Sequence, residues 1–292
     1  MTDLNPLVVA VTTRALCDLE VEHETFLAVG EEGYMASQRD RIETPVRWGV
    51  AYPLVRKLLG LNKPGQPPLV RVCVVSRNDP VTGLRVMRAV EQEGLDIGRA
   101  IFTKGRSPFV YLGPLGVDLF LSADRHDVEV ALAAGFAAAQ VMPGLAGEET
   151  IQGELRVALD GDSTLFDSSA DDVYLKEGVE AFHAHEKAMA AIPLGPGPMA
   201  PFLAFLNRVQ AARPGAIRTS LVTARAVPAL ERAIRTLLAI GVTVDEAYFL
   251  EGEPKTEFLR VYRPDLFLDD SPRHVDAAKD FVPTAYVPRL TA

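Results

Sequence analysis

The chain has 292 residues, with 30 Lys and Arg against 39 Asp and Glu and a formal charge of −9 at pH 7. Hydrophobic residues at 48% and charged residues at 24% describe a soluble globular protein with a real core, and exclude disordered, collagenous and disulfide-stapled classes. The acidic balance and the absence of a Lys/Arg block argue against nucleic-acid binding, while leaving room for a small anionic substrate at a locally positive site.

In chain order, an apolar strand is predicted at 8–11, followed by a mostly helical insert and a second strand at 72–75. The spacing of Leu84, Met87, Ala89 and Val90 predicts an amphipathic helix, which Gly94 ends. Short strands follow at 99–102, 117–121 and 138–142, and the Pro- and Gly-containing stretch 143–155 reads as a loop-like joint. The series then restarts with a strand at 156–159, an insert, and a strand at 220–222. A second amphipathic helix carries Leu230, Ala233, Ile234, Leu237 and Leu238 and ends at Gly241, before strands at 246–250, 266–268 and 284–287. Short apolar strands alternating with helices imply a parallel sheet covered on both faces, with ligands beyond the carboxyl ends of the strands.

The two series repeat one another. Arg85, Arg88, Gly94, Ala100 and Phe102 recur 147 residues later as Arg232, Arg235, Gly241, Ala247 and Phe249. Pro45, Gly49 and Pro53 recur 148 residues later as Pro193, Gly197 and Pro201. An internal duplication is expected on this basis.

Chemistry is concentrated at the strand ends of the second series. The strand at 156–159 runs into Asp160-Gly161-Asp162, two carboxylates separated by a turn residue. The next strand ends at Thr223; Lys255 follows; the strand at 266–268 ends in Asp269-Asp270. Oxygen-rich carboxylates suit Mg²⁺, and a Lys with a hydroxyl suits phosphate oxygens. His183-Ala-His185 lies among helix formers, where alternate side chains diverge, so it reads as solvated rather than as a zinc site. Trp48 and the Pro-rich stretch 193–201 read as packing and turn elements. Phe166 either closes the core or stacks on a base, and Arg225 either reaches substrate or forms a salt bridge.

Asp160-x-Asp-x-Thr, Thr223, Lys255 and Asp269-Asp270 are similar to the four motifs of haloacid-dehalogenase-like phosphohydrolases. Val157-Ala-Leu-Asp-Gly-Asp-Ser-Thr-Leu-Phe, Leu221-Val-Thr-Ala-Arg, Tyr248-Phe-Leu-Glu-Gly-Glu-Pro-Lys and Phe267-Leu-Asp-Asp resemble the cytosolic 5′-nucleotidase I family. In the first half Ser76-Arg-Asn, Thr82-Gly-Leu-Arg, Gly105-Arg-Ser-Pro and Phe120-Leu-Ser-Ala resemble it too, so the likeness spans nearly the whole chain. It implies an α/β fold of two tandem haloacid-dehalogenase-like units, a degenerate half at 1–148 and a catalytic half at 149–292. A small mainly helical cap is implied at about 168–219.

The implied activity is Mg²⁺-dependent hydrolysis of nucleoside 5′-monophosphates, AMP favoured, through an aspartyl-phosphate. Asp160 is the implied nucleophile and Asp162 the acid and base, with Thr223 and Lys255 on the phosphate. The implied metal ligands are Asp160, the Asp162 backbone carbonyl and Asp270, with Asp269 a further candidate; Arg225 and Phe166 are weaker substrate candidates. Another small phosphate ester as substrate, or a non-catalytic nucleotide-binding regulator, remains an alternative. At the corresponding positions the first half carries Thr12, Arg14, Pro108, Ser122 and Ala123, and only a hydroxyl, Ser76 opposite Thr223, persists. With two cysteines in or beside apolar stretches, no secretory signal and no apolar run near the ~20 residues of a membrane span, a cytoplasmic protein with no membrane partner is expected. Assembly as a homo-oligomer is compatible with all of this.

Overall fold

The computed structural model describes residues 5–144 and 153–289. Most of the joint expected at 143–155 therefore lies outside the described residues. The strands are β1 (Leu7–Val11), β2 (Cys17–Asp18), β3 (Arg47–Trp48), β4 (Val70–Ser76), β5 (Arg99–Phe102), β6 (Leu119–Ser122) and β7 (Ala138–Val141). They continue with β8 (Leu155–Leu159), β9 (Ile217–Thr223), β10 (Glu246–Phe249), β11 (Leu266–Asp269) and β12 (Thr284–Tyr286). The main strands fall where the apolar runs predict them, shifted by one to three residues at their ends.

Ten strands form one sheet in the order β10-β9-β8-β11-β12-β7-β6-β1-β4-β5, and β2 and β3 make a separate antiparallel ribbon. The apolar pattern alone does not order these ten strands, but the order is simple. Each half has the same arrangement, with β1 and β8 at its centre, and every pairing within a half is parallel. The halves meet at β7 and β12, which are antiparallel, with Ala285 opposite Val141 and Tyr286 opposite Gln140. The purely parallel sheet expected from sequence is therefore mostly parallel, with one reversal. As a result the carboxyl ends of the two halves open at opposite ends of the sheet.

Residues alternate between faces along each strand, and both faces are covered, which is why these strands read as continuous apolar runs. On one face Leu7, Val9, Val11, Val157, Leu159 and Leu268 belong to a single core that crosses the seam. The helices Tyr52–Gly60, Pro80–Gln92, Ala200–Ala212 and Leu230–Ala239 pack on it. On the other face the core is divided, with Val8, Ala10 and Phe120 in one half and Ala158, Val222 and Phe267 in the other. Cys17 and Cys73 are unpaired and buried as expected, and burial pushes their thiols up to about 12 and about 11.

Backbone details recur between the halves at the spacing seen in the sequence. The Asp118 carboxylate accepts from Val8 N at 2.8 Å, as Asp265 does from Arg156 N at 2.8 Å. Thr12 N donates to Leu121 O and Asp160 N to Leu268 O. Lys104 and Gly105 have φ of 47° and 85°; Glu251 and Gly252 have 51° and 82°. The helices Glu20–Asp40 and Ser169–Ala188 each break at a left-handed glycine, Gly30 and Gly178.

Lys57 ties the halves together. Its ammonium donates to the Asp265 carboxylate at 2.9 Å and to the Glu154 carbonyl at 3.1 Å, with both side chains buried. Removing one partner of a buried pair strands the other charge. Lys57→Met is accordingly expected to lower the unfolding free energy by about 3 kcal/mol in denaturant titration. Arg125→Met, which removes an exposed pair with Glu129, should lower it by less than about 0.5 kcal/mol.

Candidate active site

At the carboxyl end of the second half, β8 delivers Asp160 in an extended conformation, and the chain then turns through Gly161–Leu165 with Ser163 left-handed at φ 58°. The Pro-rich stretch 193–201 braces this turn: Gly197 N donates to Leu165 O at 2.9 Å and Met199 N to Thr164 O at 3.0 Å. The approach is so close that a Cβ at Gly197 would lie 2.5 Å from the carbonyl oxygens of Phe166 and Thr164, so only glycine fits. β9 ends at Thr223, whose hydroxyl accepts from Arg225 N at 3.2 Å. β11 ends at Asp269, with Asp270 next, and Lys255 opens the helix Lys255–Tyr262.

These residues converge. One oxygen from each of Asp160, Asp269 and Asp270 lies within 4.8 Å of the others, and all three residues are buried. The Lys255 ammonium donates to Asp160 and, at 2.7 Å, to Asp269. Asp269 also accepts from Ser271 N at 2.8 Å and faces His274 Nδ1 at 3.2 Å, while Arg289 pairs with Asp270. Burial pushes the Asp160 carboxyl well above its ordinary range; Lys255 opposes this, and Asp269 and Asp270 reinforce it. Burial also raises Asp270 more than Arg289 lowers it. For Asp269 burial is outweighed by Lys255 and His274, so its carboxyl is held low. Lys255 is pulled down by burial but held above its ordinary value by Asp160 and Asp269. Three carboxylates facing the Lys255 ammonium and the Arg289 guanidinium leave an excess of negative charge among hard oxygen donors, which suits a divalent cation.

The Asp162 carboxylate is engaged elsewhere. Arg225 grips it in a bidentate pair, from Nε at 2.8 Å and Nη2 at 2.6 Å. The other end of the Arg225 guanidinium pairs with Glu186, which in turn accepts from Arg232 Nη1 at 2.5 Å. All four residues are buried, and Glu186 is fully so. Two acids and two arginines balance in charge, which is what permits their burial. Arg225 also lies over the rings of Phe182, at 5.3 Å, and Phe166, at 5.9 Å. Phe166 is fully buried, which is the core placement of the two that its sequence left open.

Thus Asp160, Lys255, Asp269 and Asp270 are brought into direct contact or close approach, and Asp162 and Arg225 form an adjoining pair. Glu186, Arg232 and Arg289 were not anticipated as site residues. The recurrence of Arg85 as Arg232 was a usable signal, because Arg85 is likewise buried and pairs with Glu22 at 2.6 Å. Glu186 gave no signal, since it reads as an ordinary helix former. His183 and His185 lie in the helix Ser169–Ala188 as expected, and the acidic trio holds no histidine among the described residues. In the first half Thr12 accepts from Ala123 N at 3.3 Å, and Thr13 shares a hydrogen bond with Ser76 at 2.7 Å; Pro108, at the Lys255 position, also opens a helical turn.

Fold and site together define a mixed α/β protein with a lysine-bridged acidic centre at its strand ends. The chain belongs to the 5′-nucleotidase family, whose model matches residues 1–292. It is 30% identical over 289 residues to a human protein named cytosolic 5′-nucleotidase 1B, which bears out the likeness to the cytosolic 5′-nucleotidase I family. That match covers 94% of this chain and 47% of the human protein, so the chain spans about half the length of this relative. No solved structure matches. No helix among the described residues is long and apolar enough to cross a membrane.

Glu186→Ala leaves Arg225 and Arg232 buried without their shared partner. A loss of about 3 kcal/mol in unfolding free energy is expected by denaturant titration. The exposed pair partner change Arg235→Ala should cost less than about 0.5 kcal/mol.

Proposed function

We propose that this protein is a Mg²⁺-dependent 5′-nucleotidase that hydrolyses nucleoside 5′-monophosphates, AMP favoured, to nucleoside and phosphate. The observation that carries this reading is the convergence of Asp160, Asp269, Asp270 and Lys255 at adjacent strand ends in a chain of this family.

An Asp160 oxygen attacks phosphorus, and the bond from phosphorus to the 5′-oxygen breaks. Asp162, having taken up a proton from solvent on turning away from Arg225, gives that proton to the leaving oxygen. Water then attacks the aspartyl-phosphate, returns a proton to Asp162, and breaks the bond to Asp160, which releases phosphate. Both Asp162 oxygens are held by Arg225 in the state described, so proton transfer requires one to turn toward substrate. Arg225 retains Glu186 as a partner while that happens. Lys255 and the Thr223 hydroxyl donate to the non-bridging phosphate oxygens, which positions the group and offsets its charge. Asp160, the Asp162 carbonyl and Asp270 would hold Mg²⁺, with Asp269, in the same acidic trio, a further candidate ligand. When bound, the ion neutralises charge between the nucleophile and the phosphate.

The chain is further read as an internal duplication with halves at 1–148 and 149–292 and a cap at about 168–219. The shared strand order and the recurring hydrogen bonds, φ values and helix breaks support it. Within this stretch the helix Ser169–Ala188 reaches the site through Glu186 and would exclude water and read the nucleoside, whereas Ala200–Ala212 packs on the sheet and β9 begins at Ile217.

Phosphate release is to be measured over the nucleoside 5′-monophosphates and other small phosphate esters, with and without Mg²⁺. Release from AMP that stops on chelation and returns with Mg²⁺, without unfolding, is the expected result. Full activity in excess chelator would overturn the metal site, and release from other esters alone would overturn the substrate class. Asp160→Asn should reduce turnover to below a few per cent of the parent while the fold persists by circular dichroism. Larger residual activity would mean that another group is the nucleophile.

A further inference from the structure

At the carboxyl ends of β1, β4 and β6, remote from Asp160 at the opposite end of the sheet, lies a cavity of about 360 Å³. Its volume falls in the range of small-molecule sites. We infer that it is a second pocket, which binds a nucleoside monophosphate without hydrolysing it. The inference rests on the functional reading above for the identity of the ligand, and on the cavity itself for the site.

The cavity is chemically two-sided. The strand ends supply short polar groups, among them Thr12, Thr13, Ser76 and Asn78. The segment leading into and through the helix Glu20–Asp40 supplies Leu19, Phe26, Tyr34 and Met35. A ligand that fits both sides carries an anionic head and a flat, largely apolar body. Phe26 is 44% exposed and meets Tyr34 edge to face at 5.6 Å, a placement that wastes an aromatic ring unless something stacks on it.

The basic residues at the cavity wall are Arg14, Arg77 and Lys104, and the acids are Glu22, Asp79, Asp124 and Asp127. Each acid at the cavity wall already has a partner. Glu22 pairs with Arg85, Asp79 caps the helix Pro80–Gln92 through Val81 N, Asp124 accepts from Asp127 N, and Asp127 is gripped by Arg77. Arg14 is different. Its Nη2 reaches Glu20 at 2.9 Å, but its Nε is buried with no hydrogen-bond partner. The Arg14 side chain is 34% exposed at the cavity wall, so the rest of its guanidinium has donors to offer a phosphate oxygen. The position of the proposed nucleophile is Thr12 here, and the position of Lys255 is Pro108, so the pocket has no means of making an aspartyl-phosphate.

The test uses the full chain with Asp160→Asn, which blocks turnover, and AMP as the probe in equilibrium dialysis. Two AMP per chain are expected. Adding Arg14→Ala or Phe26→Ala, at partly exposed side chains, with the fold checked by circular dichroism, should weaken one of the two by at least tenfold and leave the other unchanged. One AMP per chain, insensitive to both changes, would overturn the second pocket even where the parent protein hydrolyses AMP. Absence of any AMP binding would overturn it as well. If the parent protein releases no phosphate from any nucleoside monophosphate, yet binds AMP in a way that Arg14→Ala abolishes, the catalytic reading fails and the pocket stands.

Discussion

Where β7 meets β12 the direction of the sheet reverses, through a pairing of Ala285 with Val141 and Tyr286 with Gln140. This short antiparallel contact makes one ten-stranded sheet from two parallel five-stranded groups. It lets the apolar core of one face run unbroken across the join, while Lys57 and Asp265 close the seam with a buried ion pair. It also sends the strand ends of the two halves to opposite ends of the molecule. In parallel sheets those ends are where backbone groups and loop side chains are free to meet a ligand. The protein therefore has two separate places to build a site.

At one of them the dominant constraint is electrostatic. Asp160, Asp269 and Asp270 are buried close together, and burial of like charges is unfavourable without compensation. Lys255 supplies part of that compensation from the start of its helix, and Arg289 supplies part from near the end of the described chain. The remaining negative excess is what equips the cluster for a hard cation. The neighbouring Asp162 is balanced separately, by Arg225, and Arg225 is shared with Glu186 on the helical insert. The insert and the Asp162 carboxylate thereby share one guanidinium.

At the other place the scaffold is preserved and the charge is not. The strand mouths carry hydroxyls and an amide, the acids are consumed in helix caps and salt bridges, and no three carboxylates gather there among the described residues. Without such an acidic cluster there is no comparable electrostatic burden, and a cavity lies between the strand ends and the insert.

The sequence by itself determined the strands and the chemistry at their ends. Apolar runs bounded by turn residues mark strands buried on both faces, and Asp160, Asp162, Thr223, Lys255 and Asp269 stand next to such runs, so their placement at one rim follows from local pattern. The recurrence at a spacing of 147 to 148 likewise needs no coordinates. Three things were decided only by tertiary structure. The reversal at the seam depends on two strands of three and four residues whose pairing joins positions far apart in the chain, and short strands carry no signal of their partner. The Asp162–Arg225–Glu186–Arg232 cluster depends on how the insert packs over the strand ends, and a glutamate in a helical segment looks the same whether it is solvated or buried. The full burial of Phe166 was open for the same reason: an aromatic beside an acidic loop at a strand end reads alike for core and ligand, and only the neighbours that close around it bury it.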